Sequence, residues 1–267
     1  MRIRSLIVLY SGLVFFSCSD NPTGPGQIQL VGFGLSSSAS YSWSFIEQDS
    51  LGQTMYTATD SLVMKVASTN DVVGSDSGLT RIESYSIPHY SGTAKVWFKP
   101  DRDSLLEVAY AMIPASNTVF PKRAAALRAY HDLPVVGGFP MRTPMAARMF
   151  LRSRGVADSI IERSDKRVVY RFPLSVGSSW VSFRMPFMQT REVEGYELVD
   201  AGTHTYWCAR IWTAYPEFGS DFGWFDYVSA QGLVKRTMRT QVNVVTEQNP
   251  DGPGTLMWID ESYAIMD

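Results

Sequence analysis

Cysteine is scarce in this chain. Cys18 and Cys208 are the two in 267 residues, so at most one disulfide is available and the fold is not a stapled miniature. Histidine is nearly as scarce: His89, His131 and His204 lie in separate segments, none beside a recognisable nucleophile motif. There is no G-x-S-x-G elbow, no H-E-x-x-H, no phosphate-cradling glycine loop with its lysine and no dinucleotide fingerprint. These absences argue against the common enzyme classes and predict no cofactor and no bound metal. No apolar run approaches the roughly 20 residues that a membrane-crossing helix needs. An excess of basic charge is lacking too: 24 Lys and Arg against 26 Asp and Glu give −2. A general nucleic-acid binder neutralises phosphates with surplus Lys and Arg, so no nucleic-acid partner is expected.

What the chain does have begins at its first residues. Arg2 and Arg4 precede an apolar run over residues 6–16, then Ser17, Cys18 and a polar Pro/Gly stretch. Charged, apolar and small-residue regions in that order read as an export signal over residues 1–17. Cys18 directly after a small residue resembles the lipidation site of a bacterial lipoprotein signal. That resemblance implies acylation of Cys18 and a membrane partner through the lipid. It places the protein in the cell envelope, as an outer-membrane lipoprotein facing the periplasm or the cell surface. Losing Arg2 and Arg4 would make the remaining charge −4. Cys208 would then have no disulfide partner. Its apolar setting, HTYWCARIW, reads as that of a small buried hydrophobe, against a reactive or metal-binding thiol.

Residues 18–38 are rich in Ser, Gly and Pro and read as a flexible tether. Residues 39–267 read as one β-rich domain. Hydrophobic content of 45% and aromatic content of 13% supply a real core. SYSWSFIEQDSLG and QTMYTATDSLVMKVA are strand candidates joined by a turn at 49–52, with further breaks at Asn70-Asp71 and at 75–78. RIESYSI, TAKVWFKP and SLLEVAYAM follow. After Lys166, seven more strand candidates run to the end, the last two split by the Asn-Pro-Asp-Gly-Pro-Gly turn at 249–254.

The middle differs. RAAALRAYHD at 123–132 reads as a short helix. TPMAARMFLRSRG at 143–155 is a better one, with Thr143 as N-cap, Pro144 at the first turn and Gly155 as the stop. ADSIIERS at 157–164 adds another helical turn in this reading. Residues 121–167 hold ten basic residues against four acidic ones, a surplus of +6. That surplus reads either as a solvated surface or as a face for an acidic partner or anionic surface.

Large, soft side chains nominate a ligand site: Met145, Met149 and Phe150 on the second helix, with Trp180, Phe183, Trp207 and Trp212 on strands. They can line an adaptable apolar pocket or fill an ordinary core. Glu217, Asp221 and Asp226 lie in an aromatic stretch, EFGSDFGWFDY, which raises a carbohydrate-binding or glycosidase reading against that of simple turns. His204 and Cys208 would share a strand face about 13 Å apart, at some 3.3 Å per residue, too far for one metal ion.

A second resemblance covers residues 170–240. Pro173, Leu174, Gly177 and Trp180, then Ala201, Gly202, Thr203 and Cys208, then Gln-Gly-Leu-Val-Lys at 231–235, are similar to a pattern of exported bacterial lipoproteins of unknown function. It implies a large curved antiparallel sheet or an unclosed β-barrel, like those of periplasmic lipoprotein and lipid carriers. The expected protein is therefore mainly β, with one to three short mid-chain helices. It is expected to be monomeric, lipid-anchored and non-enzymatic, with a hydrophobic ligand or lipid on the concave sheet. The alternatives are an interaction module that uses the basic 121–167 region and a carbohydrate-binding or carbohydrate-active domain.

Overall fold

Alternation builds the first strand. In β1 (Ser38–Asp49), Tyr41, Trp43 and Phe45 are buried, Ser42 is exposed, and Ser40 and Ser44 are half-buried. Successive side chains of a strand point to opposite faces, so β1 has one aromatic face and one hydroxyl-bearing face. Asp49 ends it. Its carboxylate accepts the N–H groups of Leu51 at 2.8 Å and Gln53 at 2.9 Å, and Gly52 turns the chain at φ +80°.

The computed structural model describes residues 38–87, 93–113, 135–136, 139–140, 160–184, 188–218, 222–244 and 255–266. After β1 come β2 (Thr54–Val73), β3 (Asp76–Ile87), β4 (Thr93–Asp101) and β5 (Ser104–Ile113). A two-residue pair, β6 (Val135–Val136) and β7 (Phe139–Pro140), stands apart from the main sheet. Then follow β8 (Ile161–Arg171), β9 (Ser179–Phe183), β10 (Gln189–Ala201), β11 (His204–Ala214), β12 (Gly223–Ser229), β13 (Gly232–Val244) and β14 (Thr255–Met266). The remaining helical element among the described residues is a 3₁₀ turn at Pro216–Phe218. Helices expected at 123–132 and 143–155, and residues 18–37 of the expected tether with Cys18, lie outside the described residues; the last tether residue, Ser38, opens β1.

Twelve strands form one antiparallel sheet, ordered β8-β5-β4-β3-β2-β1-β14-β13-β12-β11-β10-β9. β1 to β5 and β9 to β14 each pair with their neighbours along the chain, β5 also pairs with β8, and β1 pairs with β14, Tyr41 opposite Ile265 and Asp49 opposite Met257. The two edge strands, β8 and β9, meet without a backbone ladder. Trp180 Nε1 and Ser182 Oγ donate to the Val168 carbonyl at 3.1 and 2.8 Å, and Arg191 Nη1 donates to the Val169 carbonyl at 2.8 Å. The sheet is thus a nearly closed barrel with one unsealed seam, the curved or unclosed sheet that the sequence predicts.

The inner face carries the main core. Tyr41, Trp43, Phe45, Met64, Ile82, Phe98, Tyr170, Leu174, Ile211 and Tyr263 are all buried in one cluster. Charged groups share this interior in matched sets. Asp226 accepts Arg236 Nε at 2.5 Å and Nη2 at 2.9 Å, and Arg191 stands 3.4 Å away. Glu261 accepts Trp43 Nε1 and the Tyr263 hydroxyl, each at 2.7 Å. Glu107 pairs with Arg167 at 3.4 Å.

Two readings need correction. Asn70-Asp71 does not break the chain, because β2 runs on to Val73 through three register shifts against β3. Those shifts bend the hairpin so that Val73 and Leu79 pack on Trp97, Val108, Ala109 and Ala111 of the outer face. Residues 157–164 do not supply a helical turn through Ser164, because β8 starts at Ile161. There Ile161 lies opposite Tyr110 and Glu162 opposite Ala109, so the open edge of β5 satisfies this backbone.

Candidate functional site

The outer face of the β1–β14–β13–β12–β11 stretch holds a surface groove of about 370 Å³. Register brings its wall together from five strands. Trp212 lies opposite Phe225, Phe225 opposite Thr237, Thr237 opposite Ser262, and Ser262 opposite Ser44. One step along the strands, Arg239 lies opposite Asp260 and Asp260 opposite Ile46. Cross-strand neighbours of this kind sit close enough for their side chains to touch. The groove is therefore an aromatic wall, a floor of small hydroxyl side chains and a charged edge.

Each wall residue is held in place. Trp212 and Phe225 have ring centroids 4.7 Å apart and planes tilted by 43°, which makes a shallow V. Gly223 lets the indole lie down on β12. A Cβ there would meet the Thr213 carbonyl oxygen and stand 2.8 Å from Cη2 and Cζ2 of Trp212. Arg210 sets its guanidinium 5.5 Å from the Phe225 ring centre and pairs with Glu194 at 3.1 Å and Glu197 at 3.3 Å. Arg239 lies 4.8 Å from the Trp258 ring centre and 3.5 Å from Asp260. Burial pushes the Tyr227 phenol upward, against a hydrogen bond with Thr237 that lowers it.

The residues nominated from sequence do not form one site. Met145, Met149 and Phe150 lie outside the described residues, as does most of the basic 121–167 segment. Within that segment, Lys166 pairs with Asp76 at 2.7 Å and Arg167 with buried Glu107. Trp180 is buried at the seam, and Phe183 lies there too, 5.0 Å beneath the Arg167 guanidinium. Trp207 and Trp212 are five residues apart on β11, so they face opposite sides of the sheet. Trp207 stacks on Tyr196 at 6.3 Å on the inner side. Trp212 alone of the four reaches the groove.

The carboxylates separate as well. Asp226 is buried in its arginine pair, whereas Glu217 is exposed and accepts the Met188 N–H at 2.9 Å. Asp221 lies outside the described residues. Cys208 is buried with Val199, Ala201 and Val234, and burial, reinforced by the Glu197 charge, pushes its thiol up to about 12. A nucleophilic role needs the opposite shift. Among the described residues no three His, Cys, Asp or Glu side chains cluster as a metal site.

Ile46, Arg239 and Asp260 escaped the sequence reading as site residues, whereas Gly223 and Phe225 lie in the aromatic stretch that raised the carbohydrate reading without being singled out there. One signal for them was present: Ser40, Ser42 and Ser44 set a hydroxyl face, and Ile46 breaks it with an apolar side chain. The other partners come from β11 to β14, and only pairing across the sheet unites them. Comparison with known proteins adds no relative: no family model, no curated protein and no solved structure matches this chain.

Proposed function

We propose that this chain is a lipid-anchored, non-enzymatic binding protein of the bacterial envelope, and that its ligand sits in the outer-face groove. The observation that carries the reading is the V of Trp212 and Phe225, fixed from below by Gly223 and edged by the Arg239–Asp260 pair. Preset rings lose little freedom when a ligand arrives, so apolar contact with them is retained as affinity. A volume of about 370 Å³ is within the usual range for small-molecule sites. The inner face is the less favourable place for a ligand. Trp43, Tyr170 and Trp180 are buried there in one cluster, Trp224 is buried against the Arg236 guanidinium, and a guest would have to displace them. Around the groove, Arg210 and Arg239 are both tied to carboxylates, an arrangement for orientation and not for proton transfer. The basic, apolar, Ser17-Cys18 order of the first residues supports export and acylation. One acyl chain alone gives reversible attachment, and several hold firmly.

A two-part experiment tests this. Cys18→Ser is expected to move the protein from the membrane fraction to the soluble one; retention on membranes through salt and carbonate washes overturns the anchor. On that soluble variant, the neutral planar dye Nile red is expected to bind saturably. Trp212→Ala or Phe225→Ala should weaken it about tenfold, a loss on the scale of one aromatic contact, without changing the thermal midpoint. Dye affinity unmoved by both substitutions overturns the groove.

A further inference from the structure

Resting on that reading of the groove, we infer that its ligand is a neutral sugar ring, a pyranose of an oligosaccharide laid on Trp212 and Phe225. A pyranose with equatorial hydroxyls has a flat face of C–H groups and an edge of hydroxyl groups. Aromatic faces carry negative charge density and attract the slightly positive C–H groups of such a face. Here Trp212 and Phe225 both line the groove, with the Arg210 guanidinium 5.5 Å from the Phe225 ring centre, and Ile46 extends the apolar strip on the far side. The groove then supplies what the hydroxyl edge needs. Ser44, Ser262 and Thr237 line its floor, and Arg239 and Asp260 stand at its border with exposures of 59% and 33%. A carboxylate beside a guanidinium accepts one hydroxyl proton while the arginine donates to the neighbouring oxygen, the pattern that vicinal hydroxyls present.

The shape and charge disfavour other guests. The groove is half open and holds about 370 Å³, so it leaves part of an acyl chain in water, whereas binding such a chain depends on removing its whole surface from water. A sugar ring that keeps one side in solvent fits a half-open groove. Among the described residues around it, Arg210, Lys235 and Arg239 face Glu192, Glu194, Glu197 and Asp260, three positive charges against four negative ones. A phosphate or an acidic polysaccharide would meet no surplus of positive charge there. A neutral polyhydroxyl ligand carries no such cost. Arg239 is also braced on two sides, by the Trp258 ring at 4.8 Å and by Asp260 at 3.5 Å, so its donors are already aimed.

The test uses the Cys18→Ser protein, with β-1,4-linked glucose and N-acetylglucosamine trimers and an α-1,4-linked glucose trimer as probes, by titration calorimetry. One of the trimers is expected to bind, with an affinity that does not change between low and high salt, as a neutral ligand requires. Trp212→Ala is expected to weaken that binding at least about tenfold. Asp260→Asn should weaken it about tenfold by replacing a charged acceptor, yet leave Nile red affinity where it was. That split separates sugar recognition from mere apolar contact. If Nile red binds and responds to Trp212→Ala while none of the trimers gives heat, the groove stands and the sugar assignment falls. If neither dye nor trimer binds, both fall together. Trimer binding that persists in Trp212→Ala, or that collapses with added salt, also overturns the assignment.

Discussion

Asp226 is wholly buried between two arginines, and that setting decides what the position tolerates. Arg236 reaches it through two nitrogens and stacks 5.2 Å from the Trp224 ring, while Arg191 spans from Asp226 to the Val169 carbonyl at the seam. Burial is also the main reason the Tyr170 phenol beside them is pushed far above its ordinary range, with the Asp226 charge acting in the same direction. Removing one partner of such a set leaves the other charge stranded away from water, which costs about 3–5 kcal/mol. Asp226→Ala is therefore expected to lower the urea-unfolding free energy by about that amount, against less than about 1 kcal/mol for an exposed carboxylate such as Asp200. A loss as small as that of Asp200→Ala would show that the pair is not holding the core. Little of this was legible beforehand. In the sequence Asp226 stands in an aromatic, glycine-rich stretch that reads as a turn or an acidic site. Its inward direction follows from alternation with Trp224 and Val228, but its partner Arg236 is supplied by the next strand and Arg191 by β10.

The β2–β3 hairpin shows the same limit at the level of an element. Both strands were readable from β-branched and aromatic runs, and the glycine at 74 marks the turn with φ +56°. The bend was not, because its causes are remote. Asp71 reads as a turn residue, yet its carboxylate accepts Trp97 Nε1 at 2.9 Å and pairs with Arg81 at 3.1 Å, so β2 continues through it. At the tip, Asp76 accepts Lys166 Nζ at 2.7 Å and Lys99 Nζ at 3.0 Å, fastening the hairpin to β4 and β8. The Lys166 hydrogen bond first, and then that of Lys99, holds its carboxyl below the ordinary value. A carboxyl depressed on folding stabilises the docked hairpin fully above its unfolded pKa, and the contribution fades as pH falls through the folded value. Below about pH 4 the tip is thus expected to loosen before the barrel does. Hydrogen exchange of the amides of 73–79, corrected for the intrinsic rate, should rise relative to those of β1 between pH 6 and pH 3. Asp76→Asn should show the faster exchange already at pH 6 and lose the pH dependence. A flat profile in the wild type would rule out Asp76 as the fastener.

In the molecule as a whole, the strand order places the weak joint and the groove in different parts of the circle. A chain of sequential hairpins was legible from the turn signals, and a curved sheet from strands with no water-loving face. Closure was not, because β1 with β14 is a pairing of residues more than 200 positions apart, and nothing local in Ser38–Asp49 names its partner. That closure moves the seam from the chain ends to β8 and β9. Among the described residues, the hydrogen bonds there are three side-chain donors to two carbonyls, one of them from Arg191 of β10, beside the Arg167 guanidinium over Phe183, whereas β1 and β14 share ten paired positions. Sub-global opening follows the lowest density of such bonds, so the barrel is expected to open at the seam first. Native-state hydrogen exchange in low urea should show the Val168–Tyr170 amides and those of β9 opening at a lower free energy than those of β1 and β14. Ser182→Ala removes one donor to the Val168 carbonyl and should lower that opening energy by about 1 kcal/mol, with the β1–β14 amides unchanged. Equal protection at both places would mean that the barrel unfolds as one unit and that the seam carries no separate weakness. The groove spans β11 to β1 and takes no residue from β8 or β9, so Ser182→Ala should leave trimer affinity as it is. A fall in affinity with the seam loosened would instead tie the outer site to closure of the barrel.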